Sequence, residues 1–260
     1  MPKIPKPSPA LEHQLAPHLL EKSISVLVVG CGGTGTAIAS GLIHLHKSLL
    51  AYGHPHGLQV TLADGDTISP TNVVRQPFSE SEIGLYKSEV LASRYNLFWG
   101  VEWEAVTRHL SKGDNISADI VIGCVDTRRS RRLIQQATSK HSDTTYWLDL
   151  GNNAASGQFV LGQPLNARTK DMACRLPTVA ELYPETVDAK RDKGDTLPSC
   201  SSLEALERQE PFVNQTLAFS ALALLARLFR YGRISYHVAL IDFAAGATGY
   251  RSIPSTQEAA

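Results

Sequence analysis

The sequence predicts an α/β fold, a Rossmann-like doubly wound and mostly parallel sheet, on three observations. Apolar runs of strand length alternate with longer segments of helical pattern. The first run ends in a cluster of glycines that opens a helix. The second ends in an aspartate. At 260 residues and 43% hydrophobic content, the chain has enough material for one large domain, with room for a subdomain. Lys+Arg and Asp+Glu balance at 25 each, which removes the electrostatic case for nucleic acid or a membrane surface as partner. No apolar run approaches the roughly 20 residues of a membrane span. The longest, over 217–228, is interrupted by Ser220 and Arg227. The N-terminal MPKIPKPSPALEH has no apolar core of a signal peptide, so a cytoplasmic location is expected.

Each element follows from its pattern. Residues 1–22 are Pro-rich and weakly patterned, an N-terminal arm. SISVLVVG (23–30) is continuously apolar, as a strand buried on both faces must be. Residues 34–50 are small and apolar, a helix packed on the sheet; AYGHPHG (51–57) is turn chemistry; LQVTLAD (58–64) is the second strand. A helix is expected over 84–95, then a half-exposed strand where VEWEAVT (101–107) alternates. DIVIGCVD (119–126) is a third buried strand ending in an acid, followed by a basic helix over 127–140 and strands over 144–151 and 158–162.

Composition then shifts. Residues 163–201 are rich in Pro, Asp, Lys and Thr with little periodicity, and read as a long, mobile crossover segment. A strongly apolar helix is expected from Glu210-Pro211 to Tyr231, buried or at a dimer interface, and a late strand over 236–243. The core is thus 23–162, completed by a C-terminal helix and strand within 202–250, with a tail over 251–260. No internal repeat is present.

The chemistry-bearing residues begin at Gly30-Cys31-Gly32-Gly33-Thr34-Gly35, a GxGGxG loop between strand and helix. Glycines there let backbone N–H groups approach phosphate at a helix N-terminus. Asp64 ends the second strand, where an acid accepts hydrogen bonds from ribose hydroxyls. It lies 34 residues beyond Gly30, a wide spacing that the 51–57 loop explains. The loop and the acid alone also suit an NAD(P)-binding oxidoreductase. The following TNVVRQ does not, because a dinucleotide fold has no use for Asn72 and Arg75 just past the ribose acid.

The ordered series GxGGxG, DxDxIxxxN, VxRQ, GxxK, and a strand ending in Asp with an Arg five residues on, resembles the ThiF/MoeB/HesA family, the adenylation domain of ubiquitin-activating enzymes and their bacterial relatives. The matching residues are Gly30, Gly32, Gly33, Gly35, Asp64, Asp66, Asn72, Arg75, Gln76, Gly84, Lys87, Asp126 and Arg131. The match covers roughly 23–162, and GQFVLG (157–162) resembles the next family strand.

The resemblance implies an ATP-dependent adenylyltransferase. It implies that Asp64 holds the ribose, that Asn72, Arg75 and Lys87 hold the triphosphate, and that Asp126 binds Mg²⁺. It further implies adenylation of the C-terminal glycine of a ubiquitin-like or sulfur-carrier protein, a homodimer, and in some members transfer of the acyl group to a cysteine. Taken singly the residues have plain readings: Arg75 and Lys87 as solvated charges, Asp126 as the cap of the next helix. A catalytically silent scaffold of the same fold is the further alternative. PSCSSLEALERQEPFVN resembles the ThiF-like branch of the bacterial PRTRC cassette, which implies a ubiquitin-like protein, a conjugating enzyme and a JAB-type protease as neighbours.

Three departures from the family pattern stand out. Thr127 replaces the frequent Asn after Asp126, the N-terminus lacks the family's Arg-bearing arm, and the paired CxxC motifs of many bacterial relatives are absent. The four cysteines, Cys31, Cys124, Cys174 and Cys200, form no CxxC pair, so no structural zinc is expected. Cys200, in PSCS just before a helix, is the preferred thioester cysteine, because a helix N-terminus lowers a thiol pKa. Cys174, between Lys170 and Arg175, is the alternative, and Cys31 and Cys124 read as packed residues. The 128–132 run RRSRR reads as a solvated helix face apart from Arg131, and His44, His46, His54 and His56 as non-ligands.

Overall fold

The computed structural model describes residues 11–74, 76–139, 142–172, 174–194 and 210–253. Its centre is an eight-stranded sheet. In chain order the elements are β1 (His13–Gln14), β2 (Ile24–Val29), α1 (Gly33–Ala51), β3 (Leu58–Ala63), α2 (Pro70–Val73), α3 (Lys87–Trp99), β4 (Glu104–Val106), β5 (Ile120–Gly123) and α4 (Arg128–Thr138). They continue with β6 (Tyr146–Asn152), β7 (Ser156–Gly162), α5 (Val179–Leu182), α6 (Val213–Tyr231), β8 (Arg233–Ile234), β9 (Tyr236–Asp242) and β10 (Ala247–Ser252). The sheet order is β10-β9-β7-β6-β5-β2-β3-β4. β4, β3, β2, β5 and β6 run parallel, and β7, β9 and β10 join antiparallel. A two-stranded pairing of β1 with β8 ties the N-terminal arm to the end of α6.

The chain starts in the middle of the sheet at β2, moves outward to β3 and β4, and then returns to the other side of β2 at β5. That reversal opens a crevice at the carboxyl ends of β2 and β5, where open α/β sheets bind ligands. The central strands are apolar on both faces because helices cover both. Val28, Val60, Leu62, Ile122 and Leu148 are fully buried. α6 lies on α1, where Gly41 lets Leu222 and Phe219 come close. Leu217, Ala218, Ala221, Leu224, Leu225 and Leu228 are buried in the same layer. The apolar face of α6 is therefore largely consumed inside the chain.

Several boundaries differ from the sequence reading. The helix expected from residue 84 starts at Lys87, because Gly84 sits at φ +92 and an antiparallel bridge joins Tyr86 to Thr67. It runs on to Trp99 and stops at Gly100 in the left-handed region. The strand expected over 101–107 shortens to β4, since Trp103 turns into the core and its N–H donates to Asn96 Oδ1. β10 falls mostly in the expected closing part of the C-terminal strand region and its tail; its polar ATGYRS is exposed throughout, so it carries no alternation to read. The crossover forms α5 and flanking 3-10 turns over its described part, with Leu176 and Val179 buried.

Candidate functional site

The glycine loop is built by close approach. A Cβ on Gly35 would stand 1.9 Å from Gly30 O, and one on Gly30 would stand 2.6 Å from Cys124 O. These contacts bring the start of α1 against the ends of β2 and β5. Gly35 serves this packing rather than lining the cleft.

Asp64, at the end of β3, fixes the loop from the other side. Its carboxylate accepts from the Cys31 N–H at 2.6 Å and from the Asp66 N–H at 2.8 Å. Each oxygen keeps acceptor capacity for further hydroxyl donors. Lys87 begins α3 with its side chain buried and its Nζ 3.3 Å from Asp66 Oδ2. Asn72, in α2, spends its Oδ1 on the Ser69 N–H at 3.0 Å, which fixes the amide so that its NH₂ is the end left to donate. Gln76 carries a buried Oε1 without a partner among the described residues.

These side chains converge on one cleft of about 480 Å³. Gly30, Gly32, Gly33, Asp64, Asp66, Asn72, Gln76, Lys87 and Asp126 all line it. Asp126 is exposed at its mouth. The helix cap that a plain reading gave to Asp126 belongs to Thr127, whose side chain accepts from Ser130 N–H. The Asp126 carboxylate is thus left facing the cleft, as a Mg²⁺ ligand beside phosphate oxygens would require. Arg75 and Cys200 lie outside the described residues.

Two residues singled out in the sequence stand outside the lining of this cleft. Arg131 is not among the residues lining this cleft, but it borders the adjoining groove. Its Nε donates to Asp149 at 2.8 and 3.0 Å, and its Nη2 to Val125 O at 3.0 Å. Both partners of the pair are buried. Burial pushes Asp149 up to about 6, with the Arg131 guanidinium opposing the rise. Its geometry makes Arg131 a brace that holds the Val125 carbonyl, one residue before Asp126. Cys174 is exposed but sits far from the cleft. Its carbonyl meets His13, which also bonds Tyr146 at the start of β6, whereas the cleft is at the end of that strand. Six residue steps of β-strand separate the two ends by roughly 20 Å. Cys31 and Cys124 are pushed up by burial, the signature of inert packed thiols.

Other residues at the cleft carry no motif signal. His109 stands 3.4 Å from Asp66 and packs over Gly65. Thr34, Asn152 and Asn214 form a polar cluster at its floor. Thr34 holds a variable position of the glycine motif, and the sequence offers nothing that marks His109, Asn152 and Asn214, because they come from a loop, a strand end and a distant helix. Beyond Asn152 and Asp126 the cleft opens into a groove of about 720 Å³, floored by Gly151, Ser156, Gly157 and the β9–β10 hairpin and walled by Glu185 and Thr186.

Sheet order, switch point and glycine loop define a Rossmann-type α/β domain with its cleft at the carboxyl edge of the parallel strands. The chain belongs to the ThiF family, whose profile matches residues 17–253. It is 25% identical over 244 residues to ubiquitin-like modifier-activating enzyme 5 of Aedes aegypti, covering 84% of this chain and 55% of that one. It is 26% identical over 195 residues to the enzyme of that name from Oryza sativa subsp. japonica, covering 66% and 42%. The chain spans about half the length of these relatives. Among solved structures it is similar to PaaA, at TM-score 0.60 and 16% identity over 90% of this chain and 65% of that one. It is also similar to E. coli MccB crystallised with ATP, at TM-score 0.56 and 16% identity over 88% and 63%. These two likenesses concern the fold. No helix among the described residues is long and apolar enough to cross a membrane.

Proposed function

We propose that the chain is an ATP-dependent activating enzyme that adenylates the C-terminal glycine of a ubiquitin-like or sulfur-carrier protein. The observation that carries this reading is the convergence of Asp64, Asp66, Asn72, Lys87 and Asp126 on the cleft beside the glycine loop. An oxidoreductase would use the loop and Asp64 and leave the other polar groups without work. In this reading Asp64 accepts from the ribose hydroxyls. Gly32 and Gly33 let the start of α1 meet phosphate. The Lys87 ammonium and the Asn72 amide hold the triphosphate, joined by Arg75. Asp126 holds Mg²⁺, which supplies charge neutralisation at the phosphates when bound.

An oxygen of the substrate carboxylate attacks the α-phosphorus. The bond from that phosphorus to its bridging oxygen breaks, and pyrophosphate leaves with the electron pair. Lys87 stabilises the charge gathering on the leaving group, an interaction strongest in the transition state. The groove suits an extended chain end, because its small residues let a peptide backbone lie close to the floor.

A thioester step on Cys200 is part of the proposal. Asp192 accepts from the N–H groups of Arg128 and Arg129 in the first turn of α4, and the Glu210 N–H donates to Ala154 O in the β6–β7 turn. A conjugating enzyme as downstream partner follows only if that step occurs. The homodimer is likewise a proposal, and the apolar α6 offered for it is largely satisfied against α1. Light scattering decides it: a monomer overturns it. The activating reaction is tested by intact-protein mass spectrometry of candidate glycine-ended proteins mixed with enzyme, ATP and Mg²⁺. A candidate carrying an added AMP supports the reading. Unmodified candidates, together with NAD binding to the enzyme, contradict it.

A further inference from the structure

The Thr34–Asn152–Asn214 cluster lies where the cleft opens into the groove, with Asn152 bordering both. Asn152 ends β6, Thr34 is in the first turn of α1, and Asn214 is in the first turn of α6. Asn214 Oδ1 accepts from Thr34 Oγ1 at 2.9 Å and from Asn152 Nδ2 at 3.0 Å. Thr34 Oγ1 also lies 3.5 Å from Asn152 Oδ1. The contacts fix which end of the Asn152 amide is nitrogen. That nitrogen carries a second N–H on an exposed side chain at the junction.

The chain goes to some trouble to bring Asn214 there. Phe212, which precedes α6, has φ 68 and is the sole non-glycine residue with positive φ among the described residues. A bulky residue held so costs on the order of 1–2 kcal/mol, and such strain concentrates at functional sites. The turn it makes does not let Asn214 cap its own helix; the side chain reaches across to α1 instead. A Cβ on Gly33 would stand 2.5 Å from Asn214 Nδ2. The extra glycine of GxGGxG is therefore the space that this asparagine fills.

We propose that Asn152 receives the carboxylate to be activated and that Asn214, with Thr34, is the positioning residue that aims it. The proposal rests on the adenylation reading of the cleft and adds the place where its second substrate docks. A carboxylate arriving along the groove meets Asn152 at the junction with the cleft, beside Asp126. A neutral amide orients it by hydrogen bonding without the full positive charge of an ammonium, which would draw off the electron density needed for attack on phosphorus. Lys87 is kept on the far side of the cleft, against Asp66.

The test is substrate-dependent ATP–pyrophosphate exchange with Asn152→Asp and Asn214→Ala, beside ATP binding by calorimetry and thermal stability. Asn152→Asp keeps the size, sets a negative charge against the incoming carboxylate, and turns the donor facing Asn214 Oδ1 into an acceptor. Its kcat/KM for the protein substrate should fall about 100-fold, the size expected for loss of one positioned donor, with ATP affinity falling much less than that. Asn214→Ala should fall about 10-fold with a lower kcat, since it misplaces the donor without removing it. Wild-type exchange in both variants overturns the proposal. So does a loss of ATP binding and stability in step with activity, which would mark a purely structural cluster. Absence of exchange in the wild-type enzyme with every candidate overturns the adenylation reading itself, and this role with it.

Discussion

Asp126 owes its exposure to its neighbour. Because Thr127 takes the cap of α4, the acid at the end of β5 is spared a structural duty and faces the cleft. Asp126→Ala should therefore lower pyrophosphate exchange at least about 100-fold while leaving the urea midpoint unchanged, as loss of a ligand to Mg²⁺ and not of a fold contact. Retained exchange would remove it as the metal ligand. At this scale the sequence was legible where chemistry repeats a spaced pattern: Gly30, Gly32, Gly33, Asp64, Asp66, Asn72, Lys87 and Asp126 all reach one cleft. It was not legible for Arg131, whose motif position fits a ligand residue equally well until Asp149 is seen beside it. His109, Asn152 and Asn214 were hidden for a different reason: their roles come only from long-range proximity.

Between elements, two contacts carry much of the site's order. α1 meets the end of β2 so closely that no side chain fits at position 35. Gly35→Ala should destabilise by at least about 1–3 kcal/mol, the cost of overpacking a tight junction, read as a lower denaturant midpoint. A midpoint equal to wild type would show that the helix can shift away freely. The Arg131–Asp149 pair joins α4 to β6 and braces the Val125 carbonyl. Arg131→Met should cost about 3–5 kcal/mol, because it leaves Asp149 buried and unpaired, whereas Arg131→Met with Asp149→Leu should recover most of that loss. Equal losses in the single and double variants would contradict the account. Most strands and helices were legible from apolar runs and periodicity. β10 was not, since its exposed ATGYRS gains its order from pairing with β9 rather than from burial. The late start of α3 was hidden too, being set by Gly84 and the Thr67–Tyr86 bridge.

Across the whole molecule, the arm that closes the sheet's lower end depends on a neutral histidine. His13 bonds the Tyr146 hydroxyl at 2.8 Å and lies against the Cys174 carbonyl, with His237 nearby. Burial depresses His13 from 6.5 to about 4, with the Cys174 carbonyl opposing and His237 adding to the fall. The unfolded chain thus takes up the proton first as pH drops. This group has no effect on stability above pH 6.5, and it lowers stability progressively between 6.5 and about 4, by on the order of 3 kcal/mol at most. Urea midpoints across that window should fall with acidification, and less steeply for His13→Gln; parallel curves would exclude His13 as the source. The overall architecture was legible because alternating strands and helices with a glycine turn admit few arrangements.

The central claim is that the crevice made by this architecture activates a carboxylate with ATP, and substrate-dependent ATP–pyrophosphate exchange tests it most directly. With Mg²⁺ and candidate ubiquitin-like proteins ending in glycine, the account predicts exchange that depends on one such protein. Exchange absent with every candidate, in a chain that binds NAD and not ATP, would contradict it.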